Sequence, residues 1–246
     1  MNIILNGAAG VMGQKVAERI AERDDLVLAA AVSLELDTCE EAGTYKAIAD
    51  YSGDADVVVD FSHHSATADL LSYCRERKLP VVIATTGQTD EEKAMIAEAS
   101  AEIPVFYSGN MSIGVAVTCA LAKTAASFFP NADIELVEAH HNRKVDVPSG
   151  TALMLANSIK EVREEAEFNI GRHENGKRQK EEIGIHSIRL ANVVGMHKVL
   201  ISTGRETITI KHEAHDRALF ADGAIVAADF LAGQPAGMYN MQNIMK

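Results

Sequence analysis

The stretch Gly7-Ala8-Ala9-Gly10-Val11-Met12-Gly13 constrains the fold of this chain more than any other. It follows an apolar run, Asn2-Ile3-Ile4-Leu5-Asn6, and opens a segment with helical spacing over residues 10–23. Glycine permits a tight turn and a close approach of backbone to a ligand, and a helix N-terminus behind it attracts anions. A strand, a glycine turn and a helix at the start of a βαβ unit predict a dinucleotide site, with the pyrophosphate on the helix N-terminus. The spacing is GxxGxxG rather than the commoner GxGxxG, so the context carries the reading and not the glycines alone. Gly7, Ala8, Ala9, Gly10, Val11 and Met12 are the expected cofactor contacts.

The rest of the first half keeps that alternation. Almost wholly apolar strands are expected at 26–32, 56–60, 80–84 and 104–107, with helices between them at 65–78 and after Thr89, whose hydroxyl and the acids behind it suit a helix start. Alternating strands and helices predict a parallel sheet with both faces covered. After residue 111 the pattern changes. A long helix of small and apolar residues over 112–129 precedes a strand at 133–139, a helix at 150–167 and a polar loop at 169–182. Strands follow at 183–190, 194–203 and 207–212, the last alternating Thr and Ile as a strand with one covered face does. A helix over 216–232 comes last. The expected architecture is α/β: an N-terminal dinucleotide-binding domain at 1–110 and a C-terminal α+β domain with a mixed sheet at 111–215. Residues 216–246 are expected to return to the first domain.

Composition narrows the function. A formal net charge of −12 disfavours nonspecific nucleic-acid binding, so an anionic ligand must be met by a local basic cluster. No apolar run reaches the ~20 residues that span a bilayer, and the N-terminus lacks the basic start of a signal peptide. The three cysteines, Cys39, Cys74 and Cys119, are scattered, which supports neither a disulfide framework nor a cysteine zinc site and fits a reducing cytoplasm.

Strand ends supply the other expected cofactor contacts, because ligands of open α/β sheets bind beyond the carboxyl ends of strands. Ser33 follows the second strand, with Glu35 and Asp37 close behind and no Lys or Arg before Lys46. The acids lean toward NADH, and a solvated acidic loop explains them as well, so NADH and NADPH both stay open. Ala84, Thr85 and Thr86 follow the fourth strand; Ser108, Gly109, Asn110 and Met111 follow the fifth.

The second informative stretch is Glu138-Ala139-His140-His141-Asn142-Arg143-Lys144-Val145-Asp146-Val147-Pro148-Ser149-Gly150-Thr151. Paired histidines alone are commonly structural, and they lack the three-ligand pattern of catalytic zinc, so no metal is expected. A basic loop running straight into a Pro-Ser-Gly-Thr helix start is harder to dismiss. The N–H groups around Ser149, Gly150 and Thr151 would face whatever lies before that helix, and a carboxylate suits such a place.

This stretch resembles the E-x-H-H-x-x-K-x-D-x-P-S-G-T signature of 4-hydroxy-tetrahydrodipicolinate (dihydrodipicolinate) reductases. The resemblance extends to Gly7–Gly13, Val59-Asp60-Phe61-Ser62, Ala84-Thr85-Thr86-Gly87, Asn110-Met111-Ser112-Ile113-Gly114-Val115, Ile183 through Arg189, Thr209-Ile210-Lys211-His212, Phe220 through Ala224 and Gly237 through Met241. It implies a Rossmann-type first domain and reduction of 4-hydroxy-tetrahydrodipicolinate to tetrahydrodipicolinate with NADH or NADPH, in the diaminopimelate route of lysine biosynthesis. It further implies a cytoplasmic homotetramer acting on a small dicarboxylate. Matched by position, His140 is the proton donor or acceptor and Lys144 a proton donor. His141, Lys144, Ser149, Gly150 and Thr151 bind substrate, and Arg189 offers a second carboxylate a bidentate partner. Leu190-Ala191-Asn192 stands where the family reads Gly-Gly-Asp or Ala-Gly-Asp, and Met196 replaces an acid before His197. Two other readings share the glycine turn: another two-domain NAD(P)-dependent dehydrogenase, and a nucleotide sensor without catalysis. The first does not account for the His-His…Lys…Pro-Ser-Gly-Thr stretch; the intact His140 and Lys144 count against the second, and the altered Leu190-Ala191-Asn192 loop mildly supports it.

Overall fold

The computed structural model describes residues 1–245, which divide into two compact units, one of Met1–Ser112 with the chain from Arg217 onward and one of Ile113–Asp216. The first unit begins β1 (Asn2–Asn6), α1 (Val11–Ala21), β2 (Val27–Val32), β3 (Thr44–Tyr45), β4 (Val57–Asp60), α2 (Thr67–Arg77), β5 (Val81–Ile83), α3 (Asp90–Ala99) and β6 (Pro104–Tyr107). The second holds α4 (Ile113–Phe128), β7 (Asp133–His140), α5 (Gly150–Lys160), β8 (Glu167–Ile170), β9 (Glu182–Arg189), β10 (Gly195–Ser202) and β11 (Thr207–Ala214). The chain then re-enters the first unit with α6 (Ala218–Leu231), β12 (Gly237–Tyr239) and α7 (Met241–Ile244).

The first unit is a parallel seven-stranded sheet of order β12-β6-β5-β4-β1-β2-β3. Val57, Val58 and Val59 are fully buried, as are Val81, Val82 and Ile83, because helices cover both faces. All the carboxyl ends share one edge, and the strand order reverses at β1, with β4 on one side and β2 on the other. Such a reversal opens a crevice between the diverging loops.

The second unit is a mixed sheet of order β11-β10-β7-β9-β8, in which β7 runs antiparallel to β10 and parallel to β9. One face, with Ile134, Leu136, Ile183, Ile185, Val199 and Ile201, packs on Leu155 and Ile159 of α5 and Cys119 and Ala122 of α4. The molecule is thus the expected α/β fold, a Rossmann-type unit plus an α+β unit. Among the described residues no helix is long and apolar enough to cross a membrane.

Four elements depart from the sequence reading. The helix expected over 150–167 stops at Lys160, and Glu167–Ile170 forms strand β8 beside β9 rather than opening a loop. Arg163 explains the stop: it is 3% exposed, and its guanidinium donates to the Ala132 carbonyl at 2.8 Å, a distant contact that holds the chain in a turn there. β3 and β12, of two and three residues, are too short to leave a periodic signal.

Candidate active site

At the reversal point a cavity of about 660 Å³ is lined by Asn6, Gly7 and Gly10 on one side and by Ser33, Leu34 and Glu35 on another. Phe61, Ser62, His63 and Ser65, from the loop after β4, close a third side. That volume suits a small-molecule ligand. Gly7 has a φ of +84°, and a Cβ there would lie 2.5 Å from the Phe61 carbonyl carbon. A Cβ on Gly13 would lie 2.1 Å from the Gly7 carbonyl oxygen, so these two glycines are demanded by backbone against backbone. Gly10 differs. It is the N-cap of α1, lines the cavity and makes no side-chain cap, so the first N–H groups of α1 face an open cradle. A pyrophosphate fits that donor set.

Asp60, at the end of β4, ties the loops of this edge together. Its buried carboxylate accepts from Asn6 Nδ2 at 2.8 Å, Ser62 Oγ at 2.6 Å and Thr85 Oγ1 at 2.6 Å. Burial raises its pKa, and those three hydrogen bonds oppose the rise. Ser33 donates its hydroxyl to Glu35, and that bond holds the Glu35 carboxyl below the usual carboxylate range.

Of the expected cofactor residues, Gly7, Gly10 and Ser33 line the cavity, together with Glu35. Ala8, Ala9, Val11 and Met12 continue the turn behind it. Ala84, Thr85 and Thr86 follow β5, and Ser108, Gly109, Asn110 and Met111 follow β6, farther along the same edge and outside the cavity wall. Asp37 does not line it, while Lys46 does. Phe61, Ser62 and His63 were not singled out as cofactor contacts; their place after an apolar strand is the signal that marks them.

The second cluster is built on β7. Glu138 and His140 lie two residues apart and so share a sheet face. Glu138 is 0% exposed; one oxygen bonds His140 Nδ1 and the other accepts from Arg189 Nη1 at 2.9 Å. Burial alone would raise the Glu138 pKa, but the bonds from His140 and Arg189 prevail and lower it to about 2. The sheet register places His197 opposite Glu138 and Arg189 opposite His140. The His140 and His197 rings meet edge-on at 5.1 Å, and His197 Nε2 lies 3.1 Å from Ser149 Oγ. Burial, with the nearby His140 charge second, pushes the His197 pKa down to about 3, so that ring is neutral.

Ser149 caps α5, accepting from the Ala152 N–H at 3.2 Å, and Gly150 and Thr151 form the first turn behind it. The loop between β7 and α5 carries His141 and Lys144; Lys144 Nζ lies 2.8 Å from an Asp146 carboxylate oxygen. Burial raises the Asp146 pKa, but the bond from Lys144, the charges of Lys144 and Arg189 and a backbone bond together outweigh it, so the net shift is downward. The structure therefore gathers His140, Ser149 and the base of the Lys144 loop at one end of β7.

Arg189 is placed differently from its expected role. Its guanidinium turns inward, donating from Nη1 to Glu138 and from Nη2 to the Asp146 carbonyl at 2.6 Å, and its Nε is buried without a partner. The altered stretch also resolves. Ala191 takes a φ of +43°, where glycine is favoured, and its carbonyl accepts from the Asn142 N–H at 3.1 Å. Asn192 Oδ1 accepts from Arg143 at 3.0 Å. Met196 alternates with Gly195 and His197 along β10 and so points to the other face of the sheet. Glu138 and His197 were the missed members. Among the described residues, Glu138, His140 and His197 are the group whose ligand atoms lie within 4.8 Å of one another. With Arg189 already on its carboxylate, the group reads as acid–base machinery.

Residues 1–111 match the family model described as dihydrodipicolinate reductase, N-terminus, and residues 114–245 match its C-terminus. A protein of Caldanaerobacter subterraneus subsp. tengcongensis named 4-hydroxy-tetrahydrodipicolinate reductase is 42% identical, covering 100% of this chain and 98% of its own. One of the same name from Clostridium tetani is 44% identical over 98% of this chain and 95% of its own. Among solved structures, the dipicolinate-bound dihydrodipicolinate reductase of Paenisporosarcina sp. TG-14 superposes with a TM-score of 0.81 at 23% identity, covering 99% of each chain.

Proposed function

The chain belongs to the dihydrodipicolinate reductase family, and from that premise we propose how its residues perform the family's reaction. The protein reduces 4-hydroxy-tetrahydrodipicolinate to tetrahydrodipicolinate with NADH or NADPH, in the diaminopimelate route of lysine biosynthesis. The cofactor supplies a hydride when bound, and Gly7, Gly10 and the open N-terminus of α1 cradle its pyrophosphate, with Ser33 beside the ribose. Ala84, Thr85 and Thr86 and the run Ser108, Gly109, Asn110 and Met111 border the same edge of the sheet.

His140 is the proton donor. Addition of hydride to the conjugated C=N system of the dehydrated substrate pushes electron density outward, and a general acid must protonate the resulting enamine. A histidine exchanges protons in the physiological range. Lys144, released from Asp146, and His141 meet one carboxylate of the substrate. The Ser149 hydroxyl and the Gly150 and Thr151 N–H groups meet it from the N-terminus of α5, where the dipole favours an anion. The observation that carries this reading is the meeting of His140, Ser149 and the Lys144 loop at the end of β7. The working form is a cytoplasmic homotetramer joined through the second unit's sheet, consistent with the half-buried Val137, Met196 and Leu200 on the face opposite α4 and α5.

The direct test mixes the purified protein with pyruvate, aspartate semialdehyde and their synthase, and follows NADH and NADPH absorbance. Rapid synthase-dependent oxidation is expected, and the two rates rank the cofactors. Cofactor binding without oxidation would refute the assigned roles.

A further inference from the structure

We propose that Glu138 and Arg189 are a positioning pair that fixes which nitrogen of His140 carries the reactive proton and ties the Lys144 loop to that histidine. The inference rests on His140 being the proton donor.

Glu138 is fully buried, and Arg189 Nη1 donates to one of its oxygens at 2.9 Å. A carboxylate held by a guanidinium is ionised and can only accept. The proton shared with His140 therefore sits on the imidazole Nδ1, and proton exchange with substrate is left to Nε2. That nitrogen faces Gly195 across the sheet: a Cβ there would lie 3.3 Å from it. Glycine at 195 keeps the approach to Nε2 clear, and the His197 ring walls it at 5.1 Å. Lys144, Asp146 and His212, which lies opposite His197 on β11, are the remaining titratable groups near the cluster. His197, neutral and bonded to Ser149, adds no competing charge.

The same guanidinium reaches outward. Arg189 Nη2 donates to the Asp146 carbonyl at 2.6 Å, and Asp146 pairs through its side chain with Lys144. One buried carboxylate thus sets both the tautomer of the acid and, through Arg189, the stance of the loop that brings the lysine. Fixing a catalytic histidine's tautomer through a buried carboxylate is worth a large factor in rate where it has been removed by an isosteric amide.

Two measurements on the whole enzyme decide this. In 15N-histidine NMR, the His140 resonances, identified by their loss in His140→Gln, should report the Nδ1–H tautomer at high pH. An Nε2–H tautomer would overturn the proposal, whatever the activity of any variant. In kinetics, Glu138→Gln should lower kcat by about 100-fold or more, shift the alkaline limb of the pH–rate profile to lower pH, and leave NADH affinity unchanged. A wild-type kcat and pH profile in that variant would overturn it. Should Glu138→Gln fail to fold, Arg189→Lys serves: one ammonium cannot hold both Glu138 and the Asp146 carbonyl, so KM should rise about tenfold while NADH affinity holds. An unchanged KM would overturn the link to the loop. If His140→Gln keeps full turnover, the proton-donor reading fails by itself, and the NMR result still reports the pairing.

Discussion

His197 Nε2 lies 3.1 Å from the Oγ of Ser149, joining β10 to the N-cap of the helix that faces its sheet. His197 is 3% exposed, so the bond forms away from water and binds the start of α5 to β10. Burial holds this imidazole neutral, with its pKa near 3. The unfolded chain takes up that proton near pH 6.5. As pH falls below 6.5 the unfolded state therefore binds a proton that the folded state refuses until about 3, and stability falls by about 1.4 kcal/mol per pH unit for a full proton. Glu138 adds its own loss only as pH falls from 4.5 toward 2. Urea unfolding between pH 6.5 and 4.5 should show a slope shallower by about one proton in His197→Gln. An identical slope would remove His197 from the account.

Ala191 occupies left-handed backbone in an exposed loop, at a cost of roughly 1 kcal/mol for a residue with a Cβ. Ala191→Gly removes no packing and should raise stability by about that amount, read as a higher denaturation midpoint. Kinetic constants should stay near wild type, because the Asn142–Ala191 hydrogen bond uses backbone only.

Two glycines of the first turn, Gly10 and Gly13, should separate by readout. Gly13→Ala forces a Cβ to 2.1 Å from the Gly7 carbonyl, and overpacking of that kind costs on the order of 3 kcal/mol. A Cβ on Gly10 meets only the Gly7 carbonyl, at 3.3 Å. Gly10→Ala should fold normally and weaken NADH binding by about tenfold, near 1.4 kcal/mol. Calorimetric titration and thermal melts on both variants decide the matter.

His140→Ala and Lys144→Ala should each lower turnover by about 100-fold or more, the usual worth of a positioned acid. NADH affinity should hold in both, since neither residue belongs to the unit that carries the cavity. Parallel loss of NADH binding would show that they belong elsewhere.

Much of this was legible in the sequence. The strand–glycine–helix opening depends on local geometry, so its consequence at Gly7 and Gly13 could be read from a few adjacent residues. The basic stretch could be read for the same reason: His140, Lys144 and Ser149 lie within ten positions, and a helix start follows them directly. Local signals also placed most strands and helices, because apolar period reports which faces are covered. They failed where a distant group decides the backbone: at Arg163, which ends α5 early through the Ala132 carbonyl, and at the short edge strands. The roles within the cluster were decided only by tertiary structure. Register between β7, β9 and β10 sets Arg189 and His197 around Glu138 and His140 across about fifty residues of chain. A one-residue slip would turn each of them to the opposite face. Sequence supplies the residues and the period; the pairing of strands supplies the partner each one meets.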